Sequence, residues 1–354
     1  MKKIIMTGGG TAGHVNPNLA LIPQLKKLNY EISYIGSKDG IEKTIIEKEG
    51  LPYFEISSGK LRRYFDLKNF SDPFKVTKGL FEAMRILRRE NPSIVFSKGG
   101  FVSVPVVMAA KFLKIPVLSH ESDMTPGLAN RISLRFSDKL LVTFEETLAH
   151  VGDKGILVGS PIREELFTGN REKALEQAGF TGDKPVILVM GGSIGSVKIN
   201  KSIRGILERL LPQFDIIHLC GKGNIDSDYE TLKGYQQYEY LGDEMKDVLA
   251  ASDLIVSRAG ANSIFEFLAL RKPNLLIPLS LSASRGDQLM NAESFMAKGF
   301  SMILKEEDLT EDTLFMSIEE LYKSQDKYVS VMKESRLGSA TDRIIELIER
   351  YSKA

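Results

Sequence analysis

Two glycine-rich segments follow apolar, β-branched runs and are the first residues in the sequence with an evident chemical use. One is Gly8–His14, after the run at residues 3–7, and the other is Gly191–Ser196, after the run at 186–190. Glycines let backbone N–H groups approach an anion, and a following helix adds roughly half a positive charge at its start. Two such turns favour a phosphate-bearing ligand over the alternative of plain strand-to-helix turns.

His14 gives the first turn a side chain suited to acid–base work, because its imidazole stands at the mouth of a glycine loop. The G-x-G-x-x-G spacing of Gly8, Gly10 and Gly13 also suits a dinucleotide dehydrogenase, which needs an acidic residue where the second strand ends. Here a lysine precedes the first acid, Asp39, so a dehydrogenase is disfavoured. Neither loop has the Gly-Lys-Ser/Thr ending of a P-loop, which argues against that type of ATP hydrolysis.

Further polar residues follow two other strands of the first half, and so belong at the same sheet edge as His14. We expect Lys98 and the amides of Gly99 and Gly100 to hold a second anion, belonging to an acceptor. Glu121 and Asp123 are carboxylates that can accept a hydroxyl proton. Ordinary capping of the next helix explains each acid equally well.

The second half offers two more strand-to-helix turns. Residues 257–266 combine backbone donors, small side chains and Glu266, a set that can cradle a diphosphate and bind sugar hydroxyls. Asp287 and Gln288 open the next predicted helix and are also candidates for sugar hydroxyls. The alternatives are a carboxylate stabilised by the helix dipole and ordinary N-terminal capping.

Residues 61–90 contain eight Lys or Arg against four Asp or Glu, with bulky apolar residues between them. This mixture suits a surface that lies on anionic lipid headgroups, although a solvated helix face is an equal alternative. Nucleic acid is not expected, because no binding module surrounds the patch. The residues of this candidate membrane surface are Arg62, Arg63, Phe70, Phe74, Lys75, Lys78, Phe81 and Arg85.

The elements that position these residues alternate between short apolar strands and amphipathic helices throughout the 354-residue chain. This alternation predicts an α/β fold with two Rossmann-like parallel-sheet domains, residues 1–160 and 161–338, and a cleft between the carboxyl ends of the sheets. Gly159, Ser160 and Pro161 interrupt the pattern and mark the joint. The predicted strands lie near 3–7, 31–35, 52–56, 93–96, 116–119, 139–142, 156–158, 185–190, 215–219, 237–241, 254–256, 274–277 and 301–303.

Composition excludes several classes of protein. The 47 Lys and Arg nearly balance the 46 Asp and Glu, which argues against coating nucleic acid by bulk charge. One cysteine excludes a disulfide framework and a cysteine zinc cluster. No apolar run approaches the ~18 residues of a membrane span. We therefore expect an intracellular protein with at most a peripheral membrane contact.

Taken in order, these motifs closely resemble the MurG family, glycosyltransferase family 28, the N-acetylglucosaminyltransferases of peptidoglycan synthesis. The resemblance spans essentially the whole chain. Its motifs are Gly8–His14, Gly99–Ser103, His120–Glu121, Gly191–Ser193, Arg258–Glu266 and Gln288–Asn291.

The resemblance implies a GT-B fold with a C-terminal helix, residues 339–354, that returns to the first domain. It also implies an inverting, metal-independent transfer of N-acetylglucosamine from UDP-N-acetylglucosamine to the 4-hydroxyl of lipid I, giving lipid II for cell-wall growth, cell shape and division. The expected place is the cytoplasmic face of the membrane, without a tightly bound cofactor. Other cell-wall or division proteins are further expected partners. Alternatives are another UDP-sugar glycolipid synthase, a UDP-sugar epimerase, or a non-catalytic nucleotide-sugar scaffold.

The resemblance also assigns roles to residues. Its implied donor contacts are Thr11, Ala12, Gly13, Arg163, Ser193, Gly242, Ala261, Asn262, Ser263, Ile264, Phe265, Glu266, Asp287 and Gln288. The implied acceptor contacts are Gly10, His14, Lys98, Gly99, Gly100 and Glu121. One departure matters: many relatives have Asn where this chain has Asp123, and only a carboxylate takes a proton. His14 and Asp123 therefore both remain candidates for the general base.

Overall fold

The structure is a computed structural model that describes residues 2–59, 72–192, 195–281, 286–335, 337 and 340–353. The chain divides into two units. Unit 1 consists of Met1–Arg163 together with Ser339–Ala354, and unit 2 is Glu164–Gly338. The division after Arg163 lies close to the joint expected after residue 160, and the final segment belongs to unit 1.

Unit 1 is built on a parallel sheet with the strand order β3-β2-β1-β4-β5-β6-β7. Its strands are β1 (Lys3–Thr7), β2 (Glu31–Ser37), β3 (Tyr53–Ile56), β4 (Ile94–Ser97), β5 (Val117–Glu121), β6 (Lys139–Val142) and β7 (Gly155–Leu157). Strands β4 and β5 are buried along their whole length and β1 in all but Lys3, as expected when helices cover both faces of a parallel sheet.

The helices of unit 1 connect these strands. They are α1 (Asn16–Leu19), α2 (Ile22–Lys27), α3 (Ile41–Lys48), α4 (Asp72–Glu90), α5 (Ser103–Phe112), α6 (Leu128–Ser133) and α7 (Leu148–Val151). Helices α4 and α5 pack on one face of the sheet, where Ala83, Val106 and Val117 share a buried cluster.

Unit 2 repeats the plan with a sheet of order β10-β9-β8-β11-β12-β13. The strands are β8 (Val186–Met190), β9 (Asp215–Leu219), β10 (Tyr235–Tyr238), β11 (Leu254–Ser257), β12 (Asn274–Leu276) and β13 (Met302–Ile303). The helices are α8 (Arg171–Ala178), α9 (Val197–Gly205), α10 (Leu207–Leu210), α11 (Met245–Ala251), α12 (Ala261–Ala269), α13 (Asp287–Ala297), α14 (Glu311–Lys323) and α15 (Gln325–Glu334).

A last helix, α16 (Thr341–Tyr351), belongs to unit 1. It buries Ile344 and Ile348 in the same cluster as Ile4 and Met6 of β1. Beyond its end, the Lys353 N–H donates to the Ser93 carbonyl over 3.0 Å. The isoleucines of α16 are spaced to form one apolar helix face, which has to be buried against a core. This explains why the segment packs in unit 1 although it follows unit 2 in sequence.

Most element positions agree with the sequence pattern to within one residue, and three strands differ by two residues or more. Strand β5 continues to Glu121, two residues past the expected end, because Glu121 still pairs with Val142 of β6. Strand β2 continues to Ser37, two residues past the expected end, because its backbone still pairs with Ile56 of β3. Strand β10 begins at Tyr235 rather than at 237, since Tyr235 pairs with Ile216 of β9, while Tyr240 is already 78% exposed. Among the described residues, no helix is both long and apolar enough to cross a membrane.

Candidate active site

Three neighbouring strands of unit 1 end at one edge of the sheet, and the loops that follow them carry the predicted chemistry. Strands β1, β4 and β5 are adjacent in the sheet order. His14 follows β1, Lys98 follows β4, and Asp123 follows β5. Because parallel strands place their carboxyl ends together, the fold brings these three side chains to one place.

The glycine loop after β1 is held from the protein side by two buried polar side chains. The Tyr34 hydroxyl donates to the Gly8 carbonyl over 2.8 Å. The Asn18 amide donates to the Tyr34 hydroxyl over 3.0 Å, and it also reaches the His14 carbonyl at 3.5 Å. These bonds fix both ends of the loop relative to β2 and α1.

The middle of the same loop is held by Glu42, a buried carboxylate from α3. Its Oε2 accepts a hydrogen bond from the Gly10 N–H over 3.1 Å. The sequence pattern predicts that this amide faces an anionic ligand. In the structure it faces a carboxylate of the protein itself.

His14 lies half-buried in the short 3-10 turn at the end of this loop, with its Nδ1 3.0 Å from the Thr11 hydroxyl. Burial and the positive charge of Lys98 lower the pKa of His14 to about 4, against the opposing effects of Asp123 and Glu42. The imidazole is therefore neutral at pH 7, which is the form that can accept a proton.

Lys98 is buried and hydrogen-bonded within the site. Its Nζ donates to Nδ1 of His120 over 2.7 Å and to the Ser122 hydroxyl. The Gly159 carbonyl can only accept, so the His120 imidazole carries its proton on Nε2 and donates it to that carbonyl over 3.0 Å. Nδ1 of His120 is then unprotonated and accepts from Lys98. Burial lowers the pKa of Lys98 to about 8, opposed by Glu121 and Asp123. The ammonium thus stays largely charged at pH 7.

Glu121 is turned toward its own loop. Its Oε1 accepts from the Asp123 N–H over 3.0 Å, and its Oε2 accepts from the Gly127 N–H and the Asn130 amide, each over 2.9 Å. A carboxylate with these three donors shapes the turn that presents Asp123. This geometry differs from the direct acceptor contact expected from the sequence.

Gly99 and Gly100 bring the loop after β4 against the glycine loop. Both have a positive φ, +92° and +82°. A Cβ on Gly100 would lie 2.2 Å from the Gly9 carbonyl oxygen, and one on Gly99 would lie 2.9 Å from the Asn130 side chain. The two loops therefore pack backbone against backbone, which only glycine permits.

Unit 2 forms a second set of loops at the ends of adjacent strands. Strands β8, β11 and β12 are neighbours, and their loops lead into α9, α12 and α13. Gly191 allows the first of these turns, because a Cβ there would lie 2.3 Å from the Ser196 nitrogen. The Ser196 hydroxyl then caps α9 by accepting from the Ile199 N–H.

Arg258 joins the three loops of unit 2. From the loop after β11 it donates to the Ser196 hydroxyl over 2.8 Å and to the Ile277 carbonyl, in the loop after β12, over 3.0 Å. It also forms a buried ion pair of 2.6 Å with Glu306. Burial alone would raise the pKa of Glu306, but the hydrogen bond and charge of Arg258 outweigh that effect and lower it.

The predicted donor residues occupy these loops in different ways. Ala261 begins α12, and Glu266 lies in its second turn, partly exposed. The side chains of Ile264 and Phe265 are buried in the core, so only their backbone is available to a ligand. Asn262 and Ser263, also on α12, are half-buried.

The remaining donor candidates are more scattered. Asp287 begins α13, and Oε1 of Gln288 accepts from the Leu279 N–H over 3.1 Å. The Gly242 N–H donates to Glu244 over 3.1 Å. Arg163 is the last residue of the first segment of unit 1, in the same unit as Thr11, Ala12 and Gly13. Ser193 lies outside the described residues, as do Arg62, Arg63 and Phe70 of the candidate membrane surface.

Comparison with known proteins decides the family. Residues 4–142 match the glycosyltransferase family 28 N-terminal domain, and residues 186–348 match its C-terminal domain. The chain belongs to glycosyltransferase family 28. The family inferred from the ordered motifs is confirmed, and so is the predicted fold of two Rossmann-like parallel-sheet domains.

The relatives of this family 28 chain align over its full length. It is 58% identical over 354 residues, all of both chains, to the Clostridium botulinum (strain Hall) protein named UDP-N-acetylglucosamine--N-acetylmuramyl-(pentapeptide) pyrophosphoryl-undecaprenol N-acetylglucosamine transferase. Acinetobacter baumannii MurG has a similar structure, with 26% identity, a TM-score of 0.76 and coverage of 99% of this chain and 100% of that one. The Neisseria meningitidis UDP-GlcNAc 2-epimerase, at 14% identity, 0.71 TM-score and coverage of 99% and 100%, shares the fold alone.

Two residues of the site, Arg258 and Glu42, were not among the candidates identified from the sequence. Arg258 stands inside a recognised motif, but its role appears only once its loop is folded against Ser196 and Glu306. Glu42 lies outside every motif, 32 residues from the glycine it contacts. In the described part of the chain, no group of three or more His, Cys, Asp or Glu side chains is placed to hold a metal ion.

Proposed function

We propose that this protein transfers N-acetylglucosamine from UDP-N-acetylglucosamine to the 4-hydroxyl of the N-acetylmuramic acid of lipid I, giving lipid II. The observation that carries the proposal is the 58% identity, over the whole of both chains, to a relative whose name states this transfer. An epimerase is less favoured, because the epimerase resemblance is limited to the fold at 14% identity.

The donor belongs in unit 2, at the loops that Arg258 joins. The amides that begin α12 at Ala261 suit a diphosphate, since this helix start has no side-chain cap. Glu266 and Gln288 offer a carboxylate and a carboxamide for ribose and sugar hydroxyls. Arg258 is the positioning residue of this set, because its guanidinium is already engaged with protein groups.

The acceptor belongs at the loops of unit 1, and His14 is the general base. Its imidazole takes the proton of the 4-hydroxyl while that oxygen forms a bond to C1 of N-acetylglucosamine. The bond between C1 and the phosphate oxygen breaks, and its electron pair leaves with UDP. One displacement from the opposite face inverts the anomeric centre and gives a β-linkage.

Two contacts favour His14 over Asp123 as the base. In the tautomer whose Nδ1–H donates to the Thr11 hydroxyl, 3.0 Å away, Nε2 carries the lone pair that takes the proton of the substrate. Asp123 raises the pKa of His14, so its carboxylate stabilises the imidazolium that the reaction forms. The negative charge of the acceptor's diphosphate acts in the same direction once it binds.

Helix α4 supplies the membrane-facing surface of the proposal. Phe74 is 79% exposed and Phe81 is 65% exposed, although both are large apolar side chains. Lys78 and Arg85 are exposed at positions that place them on the same helix face as the phenylalanines. Apolar rings flanked by cations suit peripheral binding to an anionic bilayer, where the lipid acceptor resides.

The test is transfer of labelled N-acetylglucosamine from its UDP donor to a short-chain lipid I analogue. We expect product with this donor, none with UDP-glucose, and unchanged transfer in EDTA. Labelled donor converted to an epimer without acceptor would instead establish the epimerase.

His14→Ala should slow transfer by ~10²- to 10⁴-fold, and Asp123→Asn by less. Near-normal turnover of His14→Ala would disprove the base assignment.

A further inference from the structure

Glu42 is a carboxylate removed from water beside the reactive loop of unit 1. It is the second residue of α3, and its exposed fraction is 0%. Three neutral donors reach it: the Gly10 N–H at 3.1 Å, the Ser37 N–H at 3.0 Å and the Ser37 hydroxyl at 2.5 Å. Burying a carboxylate costs free energy unless hydrogen bonds compensate, so these three bonds fix the position of the Glu42 carboxylate.

Three glycines make the space that Glu42 occupies. A Cβ on Gly9 would lie 2.5 Å from the Glu42 carboxyl group, and one on Gly40 would lie 2.2 Å from it. A Cβ on Gly36 would lie 2.9 Å from the Glu42 Cγ. None of these glycines has a positive φ. Gly9 and Gly40 therefore leave the room that the carboxylate needs, while a Cβ on Gly36 would meet the Tyr53 hydroxyl first, at 2.2 Å.

The bond to Gly10 is the attachment of the middle of the loop. Gly10 is exposed, has a φ of +88°, and would place a Cβ in open space. Tyr34 holds the start of the loop at Gly8, and Asn18 holds its end at His14. Between them, Glu42 links Gly10 to the end of β2, directly before the paired side chains of Thr11 and His14.

The same bond changes what the loop can bind. In dinucleotide-binding folds the amides of such a loop face phosphate. Here a phosphate at the Gly10 amide would stand next to the Glu42 carboxylate, and like charges in a buried setting repel strongly. The middle of the loop is therefore shaped by an internal anion, and the diphosphate of the acceptor has to find donors other than the Gly10 amide.

We infer that Glu42 is a positioning residue for transfer: its buried carboxylate holds Gly10, and with it the Thr11–His14 turn, in the geometry that the reaction needs. This inference rests on the proposed function. A displacement of ~1 Å in a reacting group can cost on the order of 10²-fold in rate, so loss of this attachment should act on turnover.

The first test compares Glu42→Gln with Glu47→Gln, an exposed carboxylate on the same helix. The amide of Gln presents one donor where the carboxylate presents only acceptors, so it cannot satisfy Gly10 and Ser37 together. We expect kcat to fall at least tenfold in Glu42→Gln, with the KM for UDP-N-acetylglucosamine within twofold of the parent, because the donor loops lie in unit 2. Glu47→Gln should match the parent. A kcat of Glu42→Gln within twofold of the parent overturns the inference.

The second test reads the contact directly in the protein without substrate. We expect the Gly10 amide resonance to move and its hydrogen exchange to accelerate in Glu42→Gln but not in Glu47→Gln. An unchanged Gly10 amide overturns the inference even if activity falls. If the parent transfers no sugar, the proposed function fails while this test still reports on the contact. If Glu42→Gln does not fold, Ser37→Ala is the alternative variant, because it removes the hydroxyl donor to Glu42. We expect it to lower kcat by a smaller factor. An unchanged kcat would count against the inference.

Discussion

The acid–base character of the site depends on a single buried cation. Lys98 lies among His120, Ser122, Glu121 and Asp123, and its charge is one of the two causes that keep the pKa of His14 low. A base with a pKa of about 4 stays unprotonated throughout the neutral range. Its proton affinity is modest, so the anionic acceptor and Asp123 have to assist it during the reaction.

Replacing Lys98 by Met should raise the pKa of His14 from about 4 toward its ordinary value of 6.5. The rise is incomplete, because burial is the larger cause and stays. The imidazole would then gain its proton at a higher pH, so the acidic limb of the kcat/KM profile should move up. A shift of one unit would lower activity at pH 5 about twofold.

The measurement is kcat/KM from pH 4 to 8 for the parent, Lys98→Met and Lys111→Met, whose lysine pairs with Asp138 away from the site. The Lys111 variant should keep the parental limb. An acidic limb that stays in place in Lys98→Met would show that His14 does not titrate in this profile, and would turn attention to Asp123.

At the scale of residues, the sequence could reveal reactive groups better than the groups that hold them. Lys98 directly follows β4, Asp123 stands two residues after β5, and His14 ends the glycine loop after β1, so each has a local signal. Glu42 and Arg258 act across 32 and 48 residues, to Gly10 and Glu306 respectively. Such contacts depend on how α3 and the loop after β11 fold back, which no spacing within a single motif contains.

The glycine loops show how an element's backbone, rather than its side chains, shapes the site. The loop after β4 meets the loop after β1 where Gly100 approaches Gly9. A Cβ added to Gly100 would clash with the main-chain carbonyl of Gly9, and no change of side-chain rotamer could relieve that clash. The spacing of Lys98 from His14 thus depends on the absence of one methyl group.

Gly100→Ala should reduce kcat at least tenfold, because its Cβ would lie 2.2 Å from the Gly9 oxygen and push the two loops apart. Gly50→Ala is the matched control: its φ is +67°, but a Cβ there meets nothing within 4 Å. Both variants should lose about 1–2 kcal/mol in urea unfolding from the left-handed backbone alone. Equal activity of the two variants would contradict the close packing of the loops.

Elements were predictable where their local signals were complete. Asn170 caps α8 and Gly179 ends it with a φ of +71°, so residue types typical of helix ends mark both limits of Arg171–Ala178. Strand β10 was misplaced because strand-like residues, Tyr240 and Leu241, continue past its end, and pairing with β9 rather than residue type determines its start. Strand ends are set by neighbours in the sheet, which a single stretch of sequence does not contain.

At the scale of the molecule, a net charge of +1 conceals an uneven distribution. Helix α4 ends in Arg88 and Arg89 and displays Phe74 and Phe81 to solvent. Attraction to an anionic bilayer is worth about 1 kcal/mol for each Lys or Arg near the surface, and burial of each ring adds to it. The near-neutral charge of the whole chain is therefore compatible with the proposed membrane binding through α4.

Changing Phe74 and Phe81 together to Ser should weaken binding to vesicles of phosphatidylglycerol at least tenfold, measured by co-sedimentation. Binding of the parent should also fall as salt rises, because the lysine and arginine contribution is screened. Phe112→Ser, at a phenylalanine that is 58% exposed on α5, is the control and should bind like the parent. Equal binding of all three proteins would remove α4 from the membrane surface.

The place of α16 has a consequence for how the protein is made. Its isoleucines complete a core that includes Ile4, so β1 leaves the ribosome long before the helix that covers it. At the usual 5–20 residues per second, that interval is roughly 20 to 70 seconds. Unit 2 ends at Gly338 and has all its residues earlier. Unit 1 therefore cannot complete this core until α16 has been made, although its seven strands precede the whole of unit 2.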